Sequence, residues 1–260
     1  MIGALKWLLA LAFVAAVGIG AGVYFAFFGA GPSISYVTPS LVPIDITQAA
    51  ATDQPPITVP AAVILPVPFT DQAPLGNWAA KQHTCEEASL VMVDRYLRGD
   101  HSGGQIDAHT ADAAINQITA WKPAEDLTTL QIGQLAQAHL GWAYKVLPAD
   151  ALTMQQQLSL GRPLIIGVRT HGLGNPTYPG YSSHYEQPGW AVSHYLVVIG
   201  YDSSSSFILN DPGLTRGKSY HITYNQLMHA VDDLDQAYPA LNMGRVFLVL
   251  APGATPSAAG

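Results

Sequence analysis

At Gly161 the spacing of apolar residues changes, and that change limits the folds open to this chain. Before it, apolar side chains recur three or four residues apart, as on one face of a helix; after it, they arrive in short unbroken runs rich in β-branched residues. Four helices are predicted in the first half. They cover residues 85–98 (through Leu90, Met92, Val93, Tyr96 and Leu97), 110–121 (Ala111, Ala114, Ile115, Ile118), 129–140 (Leu130, Ile132, Leu135, Ala136) and 151–160. Gly99, Pro123, Gly141 and Gly161 end them in turn. In the second half, residues 163–168 and 194–201 read as strands. The polar turn at 203–206 joins the latter to 207–210 as an antiparallel hairpin, and further strands are expected at 218–224 and 245–250. Helices first and an antiparallel sheet afterwards is an α+β fold, and no internal repeat is visible.

The chain ahead of this domain has a different composition. Residues 7–28, from Trp7 to Phe28, carry no charge and are long enough to cross a bilayer as one helix. A cleaved signal is the alternative, but its apolar core would run only about 7–15 residues before a small-x-small site. Lys6 is the one charge before the run and none follows until Asp45, so the positive-inside bias places the N-terminus in the cytoplasm and the remainder outside. The expected organisation is an anchor over 1–30, a Pro-rich extended linker over 31–66, one domain over 67–250 and a small-residue tail over 251–260. Ile57, Thr58 and Val59 could add an edge strand, which leaves the linker boundary soft by several residues.

Charge excludes one class of partner. The formal net charge is −7, only 11% of residues are charged, and no Lys/Arg cluster exists to neutralise phosphates, so nucleic acid is not expected. Asp232, Asp233 and Asp235 read as a solvated face or loop, since they lack the spaced oxygen ligands of a calcium loop.

Cys85 is the only cysteine, so no disulfide framework stabilises the fold. Thr84 and Glu87 have capping-box spacing, which makes Cys85 the first helical residue. There the helix dipole favours a thiolate, while Glu86 and Glu87 oppose it. A small buried hydrophobe and an activated nucleophile are both compatible with that position. A nucleophile needs a base, and the base an orienting group. His194 begins one arm of the hairpin and Asp211 follows the other, and whether they share a face depends on register.

The segments at 67–78 (Val-Pro-Phe-Thr-Asp-Gln-Ala-Pro-Leu-Gly-Asn-Trp), 85–89 (Cys-Glu-Glu-Ala-Ser), 161–165 (Gly-Arg-Pro-Leu-Ile), 194–202 (His-Tyr-Leu-Val-Val-Ile-Gly-Tyr-Asp) and 210–213 (Asn-Asp-Pro-Gly) together resemble stand-alone members of the peptidase family that trims double-glycine leaders from bacteriocins. The resemblance implies a papain-like fold, with the nucleophile at the start of a central helix packed on the sheet that carries the base. By position it implies Cys85 as nucleophile, His194 as general base and acid, and Asp211 as the orienting carboxylate. The oxyanion donor would be Gln72, with Gln82 as rival. The leader-trimming members are usually fused to a transporter, whereas this chain has one apolar run and no phosphate loop, and Glu86 follows the cysteine where glycine is frequent.

Other polar features have simpler readings. His83 precedes the helix and is read as exposed; His171 and His184 lie in a long Gly/Pro/Tyr-rich stretch over 170–189, read as a lid. Trp78 and Trp190 are read as packing residues that could border the cleft. No metal or cofactor is called for. The expected activity is that of a membrane-anchored, extracytoplasmic cysteine peptidase acting on a peptide or protein, with Cys85 and His194 as an ion pair. The alternatives are a non-catalytic peptide or cell-wall binding module and a transglutaminase-like acyl transferase.

Overall fold

The computed structural model of the chain describes residues 34–44, 59–122, 124–170, 173, 193–202, 206–241 and 244–253. In chain order these form β1 (Val63–Ile64), a short 3-10 turn (Trp78–Ala80), α1 (Cys85–Leu97), α2 (Ala108–Thr119), α3 (Thr129–Leu135), β2 (Ala143–Pro148), α4 (Ala151–Ser159), β3 (Leu164–Arg169), β4 (Ser193–Tyr201), β5 (Ser206–Asn210), β6 (Tyr220–Thr223), α5 (Tyr224–Ala237) and β7 (Val246–Ala251). The sheet runs β2-β7-β3-β4-β5-β6, with β1 added to β4, and every pairing between these strands is antiparallel. The architecture is the expected α+β.

Nearly all of α1 is buried, including Glu86, Glu87 and Ser89 at its start. Such a helix belongs inside a core and not on its surface. It lies against β4, where Ser89 Oγ donates to the Tyr195 carbonyl at 3.3 Å. Local signals fix the other helices. Asp107 accepts from Thr110 N at 2.9 Å and so starts α2 two residues before the expected Thr110. Thr128 and Gln131 form a capping box on α3, Asp150 caps α4, and Thr223 with Gln226 forms a capping box on α5. The predicted helix over 129–140 is α-helical only to Leu135 and widens into a π turn over Ala136–Leu140, which Gly141 closes at φ 79°.

Two elements differ from expectation. β2 follows α3, and α5 occupies residues read as a strand end and a solvated acidic run. On α5, Asp232 pairs with both nitrogens of the Arg245 fork at 2.6 Å, while Leu234 is fully buried and packs against Gly167.

Part of the stretch expected to act as a linker is built into the domain. Val37 bridges Val63, Val42 N donates to the Leu160 carbonyl at 2.8 Å, and Ile44 N donates to the Pro252 carbonyl at 3.0 Å. Arg162 clasps this strap, donating to Val42 O at 2.9 Å, Pro43 O at 2.6 Å and Gln157 Oε1 at 2.8 Å. Gly161 lies so close to the backbone of Ser40 and Leu41 that a Cβ there would collide. The reason is apolar: Ile44, Val63 and Leu65 are each about 1% exposed or less, and proline keeps their segments extended without preventing burial. The edge strand is Val63–Ile64; Ile57 and Thr58 lie outside the described residues. So does the apolar run at 7–28, and among the described residues no helix is long and apolar enough to cross a membrane.

Candidate active site

The hairpin register decides which side chains meet. Val197 pairs with Asn210 and Val198 with Leu209, and the bulge that shifts the register lies beyond them, between Val198 and Gly200. Continuing the pairing one step places Asp211 opposite Leu196, whose side chain shares a sheet face with His194, so His194 and Asp211 are diagonal neighbours. The contact follows: His194 Nε2 lies 2.6 Å from Asp211 Oδ1, with both side chains buried. Asp211 is held from two further directions. Gly213 N donates to Oδ1 at 2.8 Å, and Tyr220 Oη donates to Oδ2 at 3.1 Å. Its backbone N–H donates to Gly217 O at 2.8 Å, and Gly217 packs so tightly on the Asp211 carbonyl that no side chain fits there.

Cys85 begins α1, as expected, but without the expected capping box. Thr84 Oγ1 is spent as a donor, to Gln72 O at 3.1 Å and Lys81 O at 3.0 Å, and Glu87 turns away to Lys122 Nζ at 2.9 Å and Thr119 Oγ1 at 3.1 Å. The side chains read as a cap therefore tie the helix to its surroundings. Cys85 is 6% exposed, and its Sγ donates to Glu86 Oε2 at 3.1 Å. Burial pushes the thiol well above its ordinary range, and the Glu86 charge and hydrogen bond, with Glu87, push the same way; a backbone hydrogen bond from Tyr195 opposes them. These influences, and a thiol directed at Glu86, work against the expected thiolate–imidazolium ion pair. The Tyr195 contact places the sulfur on β4 beside the residue that follows His194.

Gln72 joins three segments of the site. Its Nε2 donates to Lys81 O at 2.6 Å and Gln82 O at 3.3 Å, its backbone N–H donates to Pro212 O at 2.8 Å, and its carbonyl receives Thr84. Gln72 is 1% exposed, whereas the Gln82 side chain is exposed. Lys81 fastens the turn before the cysteine to α2, with Nζ 3.1 Å from Asp112 and 2.6 Å from Asn116 Oδ1. His83 is half exposed and faces Glu125 and Asp126 at 3.4 and 3.3 Å. Trp78 lies in the 3-10 turn, partly buried. His171, His184, Trp190 and most of the expected lid lie outside the described residues.

Sequence reasoning missed Tyr220 as a donor to Asp211, Glu86 as the partner of the thiol, and the lysines at 81 and 122. Only the adjacency of Glu86 to Cys85 gave any signal.

A buried helix headed by cysteine and packed on an antiparallel sheet that carries a histidine–aspartate pair defines a papain-fold cysteine peptidase. The Peptidase_C39 like family matches residues 64–242, more than half of the chain, and the chain belongs to that family, making it a peptidase-like hydrolase. Two solved structures are similar. A C39-like peptidase from Bacillus anthracis is 16% identical, with 75% of this chain and 99% of that one covered at a TM-score of 0.47. Xylellain, a cysteine protease from Xylella fastidiosa, is 12% identical, with 87% and 100% covered at a TM-score of 0.33. No curated protein matches the sequence.

Proposed function

We propose that this chain is a membrane-anchored cysteine peptidase, tethered through residues 7–28 with its domain outside the cytoplasm, that hydrolyses amide bonds in peptides or proteins. The observation that carries the reading is the buried His194–Asp211 contact at 2.6 Å beside the Tyr195 backbone on which the Cys85 sulfur rests. With Nε2 facing Asp211, proton exchange with the thiol falls to Nδ1. Sγ attacks the amide carbon as its proton passes to His194, and the first amides of α1 receive the developing oxyanion together with Gln72 Nε2, which gives up its 3.3 Å bond to the Gln82 carbonyl to do so. The C–N bond breaks, His194 returns the proton to the leaving amine, and a thioester remains. Water, deprotonated by His194, cleaves the thioester to a carboxylic acid and restores the thiol.

The test is digestion of a peptide library by the full chain in detergent, set against its Cys85→Ala variant. Cleavage that survives the substitution defeats the assignment. The burial of Cys85 and its hydrogen bond to Glu86 favour a second reading, a binding module that holds a peptide without turnover; specific peptide binding with no cleavage would establish it.

A further inference from the structure

The Cys85 thiol has an acceptor that the peptidase reading does not use. Sγ donates to Glu86 Oε2 at 3.1 Å, while Oε1 of the same carboxylate receives Leu127 N at 3.1 Å. Glu86 is 2% exposed, so a carboxylate engaged at both oxygens is fixed between the nucleophile and the segment that leads into α3. Glu87 beside it has a different role, since its Oε1 meets Lys122 and Thr119.

We propose that Glu86 is a positioning residue for the nucleophile: its carboxylate holds and aims the Cys85 S–H, so that the reaction starts from a neutral thiol whose proton moves to His194 only as the sulfur–carbon bond forms. The inference rests on the peptidase reading for the identity of the nucleophile. No oxidant or further reactant is needed, because the S–H bond breaks as the S–C and N–H bonds form.

After burial, Glu86 is the charged group that acts most on the thiol. On its own helix are Cys85 and Glu87, the latter paired with Lys122. On β4 are Tyr195 and His194, with Asp211 behind the histidine. Asp126 lies in the segment before α3, and Lys81 with Asp112 lies between the pre-cysteine turn and α2. Burial and then the Glu87 charge raise the Glu86 carboxyl, while the hydrogen bonds from Cys85 and Leu127 pull it back down.

The experiment is the pH dependence of thiol reaction in the full chain, with a dithiodipyridine disulfide as the probe. In the native protein the midpoint lies above the ordinary thiol value of about 8.5. Glu86→Gln lowers it by about one unit, whereas Glu87→Gln moves it far less. Below the midpoint the thiolate fraction rises about tenfold and its intrinsic nucleophilicity falls about threefold, so the rate rises about threefold. A residue that only supported the fold would change stability and leave the midpoint in place. If Glu86→Gln does not fold, the native S–H stretch decides. A band lost in Cys85→Ser and displaced to low frequency at neutral pH supports the proposal, and thiolate absorbance at neutral pH overturns it, as does an unshifted midpoint in the variant. Titration needs no turnover, so a thiol that behaves as stated in a chain that cleaves nothing defeats the peptidase reading alone.

Discussion

His194 and Asp211 meet at 2.6 Å, and neither side chain is more than 3% exposed. The carboxylate is shared with Gly213 N and Tyr220 Oη, so its orientation is held by groups other than the histidine. Asp211→Asn keeps the shape of the side chain but offers an amide where a carboxylate accepted. A fall in kcat of about 10²–10⁴ with little change in KM is expected. Tyr220→Phe removes one donor, worth about 0.5–1.5 kcal/mol, and should lower kcat by no more than about tenfold. Steady-state kinetics on a peptide recovered from the library digest measure both.

Gln72 and Gln82 should separate by their effect on turnover. Loss of an oxyanion donor lowers kcat by about 10²–10³, and this is expected of Gln72→Ala, with Gln82→Ala within a few-fold of native. Gln72→Ala also leaves the carbonyls of Lys81 and Gln82 short of a donor, so thermal unfolding is measured alongside. Equal losses in the two variants would remove Gln72 from the role.

Arg162 is a buried guanidinium satisfied by two carbonyls and an amide, and burial pulls its proton affinity down to about 10. Arg162→Ala strips two hydrogen bonds from the strap and one from Gln157 on α4, and should destabilise the domain by about 2–4 kcal/mol in urea unfolding. Arg162→Lys should not rescue it, because a point charge cannot span three acceptors. By the same logic a chain starting at Tyr36 keeps its cooperativity, and one starting at Val67, which lacks β1 and the strap, loses it.

Glu86 gives a pH dependence of known sign. Its folded carboxyl titrates above the unfolded one, so its contribution to stability is fully present below the unfolded value and is lost as pH rises through the folded value. Glu86→Gln should therefore be more stable than native near neutral pH, with the gap closing as pH falls towards the ordinary carboxyl range. Denaturant unfolding at a series of pH values measures it, and a gap that widens on acidification contradicts it.

The periodicity change at Gly161 placed most elements within two residues, because apolar spacing reports which face is buried. β2 and α5 escaped it for separate reasons. Tyr144, Lys145 and Val146 are only partly buried on a sheet edge, and the apolar positions of α5, such as Leu227, Val231 and Leu234, are interleaved with Asp232, Asp233 and Asp235. Motif order put Cys85, His194 and Asp211 forward together, and the contact between His194 and Asp211 depended on a bulge position that no local pattern specifies. Thr84 and Glu87 had the spacing of a cap and served other partners, since a hydroxyl and a carboxylate go wherever the nearest buried donor or acceptor lies. The strap was hidden by its prolines, which mark extended chain whether or not that chain is buried.

One residue, Gln72, touches the turn before the nucleophile through its side chain and the turn after Asp211 through its backbone. These turns belong to the helical and the sheet halves of the domain. A half seated slightly wrong would therefore displace the proposed oxyanion donor along with the histidine. Turnover, if measured across a series of destabilised variants, should fail earlier than secondary structure and act as a gauge of how well the two halves have come together.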